Sequence, residues 1–98
     1  MIGIDELFVA MRLGVEGDTI RADLREYLED LRGSALAMIS KYAPDAPDRI
    51  QHLAVIQFAT YVNDTSRDNT TANVFRLSGA QATLSDWHVP TLTTAEDT

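Results

Sequence analysis

Apolar residues along this chain fall at helical spacing, and no pair of segments alternates in the two-residue rhythm of strands. The longest pattern runs through Ile20, Leu24, Tyr27, Leu28, Leu31, Ala35, Met38, Ile39 and Tyr42. It predicts a long amphipathic helix with Asp18 as its N-cap and Tyr42 near its end. Gly33-Ser34 in the middle predicts a bend or a close approach, because glycine costs about 1 kcal/mol against alanine inside a helix. Ahead of it, Leu7, Phe8 and Met11 predict a short helix from Glu6 to Leu13, capped by Asp5 and ended by Gly14-Val15-Glu16-Gly17.

Pro44-Asp45-Ala46-Pro47 ends the long helix, since proline cannot donate an interior hydrogen bond, and Pro47 suits the first position of the next helix. That third helix is expected from about Asp48 to Asn63. Its apolar residues, Ile50, Leu53 to Ile56, Phe58, Ala59, Tyr61 and Val62, occupy most of the circumference. Such a helix sits at the centre of a bundle or under a neighbouring subunit. Residues 63–71 form a polar loop, and Ala72 to about Leu84 reads as a single fourth helix, followed by Trp87. The expected architecture is all-α: a small bundle of about four helices over residues 1–87 with a flexible acidic C-terminal tail, 88–98.

Length and charge narrow the class. The chain has 98 residues, the size of one small domain, and 45% of them are hydrophobic against 23% charged. Eight basic and fifteen acidic residues give a net charge of −7. That sign works against binding of nucleic acid or of an anionic membrane surface, both of which depend on cationic side chains. With no cysteine there is no disulfide, thiolate metal site or thiol nucleophile. The start, Met1-Ile2-Gly3-Ile4-Asp5-Glu6, has two acids and no base, opposite to a secretory leader. The longest uncharged stretch, Ile50 to Asn63, falls short of the ~20 apolar residues of a membrane span. A cytoplasmically made, membrane-free protein is expected.

The residue types of several catalytic and metal sites occur, each without the rest of its pattern. Asp23, Glu26, Glu29 and Asp30 alternate with Arg21, Arg25 and Arg32, which reads as a solvated, ion-paired helix face rather than an acid/base pair. Asp64-x-Ser66-x-Asp68 begins like a calcium loop, yet Asn69 replaces the turn glycine and Phe75 stands where the bidentate glutamate belongs. His52 has no histidine four residues on. Ser78, Asp86 and His88 are triad residue types, but Arg76-Leu77-Ser78-Gly79-Ala80 lacks the leading glycine and preceding strand of a nucleophile elbow. No catalytic, cofactor or metal site is assigned, and the expectation is a non-enzyme. Trp87, beside the tail, either covers the open end of the core or anchors a partner.

The order of elements resembles a tailed-phage head–tail connector (adaptor, or head-completion) protein: a short helix, the long helix ending in Tyr42, the proline turn, and an apolar helix closing on Phe58-Ala59-Thr60-Tyr61. The segment Asn73-Val74-Phe75-Arg76-Leu77-Ser78-Gly79-Ala80-Gln81-Ala82-Thr83-Leu84-Ser85-Asp86-Trp87 is similar to the Ser-Gly-Ala, Leu-Ser, aromatic close of many such adaptors. The likeness covers roughly residues 5–90; His88 stands where a basic residue often follows the aromatic. It implies a non-enzymatic virion subunit without cofactors, assembled in the host cytoplasm. It also implies a ring of about twelve copies beneath the portal protein, joined to a tail-side connector (stopper) protein, with DNA passing through the bore without specific recognition. Trp87, His88, Leu92, Arg67, Arg76, Asp64 and Asp68 are the expected partner-interface residues. The alternative is a small helical regulatory or antitoxin-like protein with a single protein partner.

Overall fold

Two prolines organise the centre of the molecule. The computed structural model describes residues 1–65 and 70–89; it places α2 at Ala22–Tyr42 and α3 at Asp48–Thr65, joined by the proline turn. Ala43 N–H closes α2 on the Ile39 carbonyl at 2.8 Å, and Pro47 C=O accepts the first α3 bond from Gln51 N–H at 3.0 Å. Pro47 therefore lies one residue outside α3, capping it where the sequence suggested it would open it. The Gln51 side chain donates back to Ala46 C=O at 2.8 Å, tying the turn to the helix it starts. At the far end Tyr27 of α2 reaches Asn63 of α3 at 3.5 Å, so the two helices form an antiparallel hairpin.

The buried stripe of α2, Leu28, Leu31, Ala35 and Ile39, faces Ala54, Val55, Phe58 and Ala59 of α3. Ala35, Ala54 and Ala59 are wholly enclosed, which lets the two backbones approach closely. Gly33 lies on the opposite, solvent face of α2, where an added Cβ would meet nothing. The helix runs through it unbroken, so the close packing expected there is absent.

The N-terminal helix is shifted from its sequence-based position. α1 spans Ile4–Ala10 with Gly3 as its cap, the Gly3 N–H donating to Glu6 Oε1 at 3.1 Å. Asp5, expected as the cap, instead lies 3.3 Å from Arg25 of α2. The helix ends in a Schellman turn: Arg12 N–H bonds Val9 C=O at 3.0 Å and Leu13 N–H bonds Phe8 C=O at 3.1 Å. Arg12 takes the left-handed position at φ 61°, the place glycine ordinarily fills. Asp18 does not cap α2 either. Its Oδ2 accepts from Val15 N–H at 3.0 Å and closes the loop between the helices, while Arg21 takes the cap position.

The expected fourth helix is broken in two. α4 spans Thr71–Leu77, capped by Thr70 Oγ1 accepting from Asn73 N–H at 3.2 Å, and α5 spans Ala80–Thr83. Gly79 between them has φ 91°, which a continuous helix cannot contain. A 3-10 turn, Ser85–Trp87, follows. The break lets α5 fold onto α3, where Thr83 Oγ1 donates to Gln57 Oε1 at 2.6 Å. Among the described residues there is no strand, every buried side chain is apolar, and the fold is all-α as expected. No described helix is long and apolar enough to cross a membrane.

Candidate partner-binding surface

Three aromatic rings organise the C-terminal end. Tyr42, the last residue of α2, meets Phe75 of α4 edge-on with centroids 5.5 Å apart, and His88 stacks on its ring at 4.2 Å and 23°. Val89 N–H donates to Tyr42 C=O at 2.9 Å. Two residues of the expected tail, His88 and Val89, are thus held on α2; Leu92 and the rest of 90–98 lie outside the described residues. Trp87, half-buried, packs against the core beside them.

Of the other expected interface residues, Arg76 and Asp64 lie among the described ones, on α4 and α3. Arg76 is exposed on α4 and donates to Asn73 Oδ1 at 3.2 Å. Asp64 lies in the last turn of α3 and not in a loop, because that helix runs to Thr65. Arg67 and Asp68 fall outside the described residues, as does most of the calcium-like motif. Of the triad residue types, Ser78 Oγ donates to Phe75 C=O and accepts from Ala80 N–H, both at 3.3 Å, and His88 stacks on Tyr42.

Asp23, Glu26, Glu29 and Asp30 of α2 are exposed, as expected of a solvated face, but two of its arginines find partners outside the helix. Arg25 reaches Asp5 at 3.3 Å and Arg32 reaches Ile2 C=O at 3.0 Å. Arg21 and Asp23 form an exposed pair at 3.3 Å. Arg25 and Arg32 therefore fasten the N-terminal segment to α2 where i,i+4 pairs within one helix were anticipated.

Sequence reasoning missed a groove of about 650 Å³ between α1, the loop ahead of α2, and α3. Phe8, Val9, Val15, Ile20 and Ile56 supply its apolar lining. Asp5, Glu6, Glu16 and Asp18 border it, with Arg25 the one cation among the lining residues. His52 lines it as well, and its Nε2 is buried with no hydrogen-bond partner. Gly14 shapes the groove from behind: an added Cβ would stand 2.4 Å from the Phe8 ring. The available sequence signal was Val15, an apolar residue set in a glycine-flanked loop where polar residues prevail. Val15 remains exposed, as do Val9 on α1, Leu53 on α3 and Leu77 on α4.

No family model matches the chain, and no curated protein or solved structure does either. The functional reading therefore rests on these surfaces and on the sequence pattern.

Proposed function

We propose that this chain is a structural adaptor: a head–tail connector subunit that forms a ring of about twelve copies under a portal and links a DNA-filled head to tail-side components. The observation that supports this reading is where the apolar side chains are left. The core is wholly apolar, yet Val9 and Val15 remain exposed at the groove, Leu53 on α3 and Leu77 on α4. The groove, with Val9 and Val15 on its rim, is a contiguous apolar surface of the kind that suits a neighbouring subunit. The net charge of −7 suits a bore through which DNA phosphate moves without adhering. Single contacts between copies are weak, and a portal template gathers them by multivalency.

The test is to mix the purified chain with portal protein at micromolar concentration and image the product by electron microscopy. A ring stacked on the portal is expected. Absence of both co-migration and ring density overturns the reading.

A further inference from the structure

We propose that the groove between α1 and α3 is the acceptor half of a head-to-tail contact between copies of this chain, and that Arg76 and Leu77 of α4 are the donor half. The inference rests on the ring reading above and specifies the interface within it.

The charges select the kind of occupant. Arg25 is taken by Asp5 at 3.3 Å; Glu6 and Asp18 each accept one backbone N–H, and with Glu16 they have no ion-pair partner among the described residues around an apolar floor. An occupant that satisfies both features carries an apolar side chain beside a cation. Apart from Arg12, within three residues of the groove's own Val9 and Val15, the described surface offers two such pairs. Arg49 and Leu53 lie one turn apart on α3, and Arg76 adjoins Leu77 at the end of α4. Leu53 is 46% exposed and Leu77 is 47% exposed, so exposure does not separate them.

Position in the fold does separate them. α3 itself supplies His52 and Ile56 to the groove, so a donor at Leu53 places donor and acceptor on one surface and produces a closed twofold dimer. α4 contributes no residue to the groove. It packs with α5 and directly against α2 and α3, outside the groove lining. A donor on one side and an acceptor on another propagate from copy to copy, which a ring requires. The groove has room for a leucine and an arginine side chain together.

The cysteine-free chain makes a direct test possible. A V15C/L77C chain is oxidised under conditions that catalyse disulfide formation, and products are separated without reductant. A ladder of covalent oligomers above the dimer is expected. Glu16→Lys or Arg76→Glu, each placed in that background and checked for native helicity, weakens self-association about tenfold, and the combined swap restores it. A chain still monomeric by sedimentation at about 1 mM overturns the contact. So do assembled rings that fail to cross-link through V15C and L77C, although these leave the connector reading standing. A V15C/L53C chain that yields covalent dimer and nothing larger overturns both.

Discussion

His88 lies flat against Tyr42, ring centroids 4.2 Å apart, and so fastens the chain leaving the C-terminal 3-10 turn to the last residue of α2. Its substitution by alanine removes a stacked contact and is expected to cost about 0.5–1 kcal/mol. Chemical denaturation followed by Trp87 fluorescence measures this, because the tryptophan is the immediate chain neighbour. An unchanged midpoint means that the stack contributes nothing to stability.

Gly14→Ala is expected to be more damaging. The new methyl would collide with the Phe8 ring at 2.4 Å and with Asp18 at 2.8 Å, so the groove-lining phenylalanine or the loop must move. Overpacking of this kind typically costs about 1–3 kcal/mol. The NMR shifts of Val9, Val15 and Ile20 methyls should change together; a native spectrum at these positions contradicts the close approach.

Two substitutions should stabilise the chain. Arg12→Gly relieves a left-handed residue at φ 61° and is expected to add about 0.5–1 kcal/mol after the loss of glycine entropy is counted. Gly33→Ala adds about 0.5–1 kcal/mol, because the site is helical, exposed and open around the new methyl. Thermal melts of each variant and of the pair provide the check, and the gains should add because the sites share no partner.

Arg32→Ala removes the bond to Ile2 C=O at 3.0 Å and should cost about 1 kcal/mol. The effect should be local. Amide exchange is expected to quicken in residues 2–10 while the α2–α3 hairpin keeps its protection, because Arg32 ties the first to the second. Uniform acceleration along the whole chain is the contrary result.

The long stripes were legible in the sequence because they have many repeats: the α2 and α3 boundaries lie within a few residues of the expected ones. The caps were not. Asp5 and Asp18 are good capping residues, but each carboxylate found another partner, Arg25 in one case and Val15 N–H in the other. Local spacing cannot choose among partners brought in from elsewhere in the fold. Gly79 lies inside the expected fourth helix, and its left-handed backbone divides it. The groove was hidden for a different reason. Phe8, Val15 and His52 belong to a helix, a loop and a second helix, and only tertiary packing brings them together.

The alanine seam between α2 and α3 has one more consequence. Ala35, Ala54 and Ala59 leave no space for a larger side chain, so that strip of the protein has almost no freedom to vary. The outward faces are restricted only by what they meet. Lineages of this chain can exchange surface residues while the two central rods keep their spacing: Leu53 should vary freely, and Val15 and Leu77 should change together, before those three alanines do.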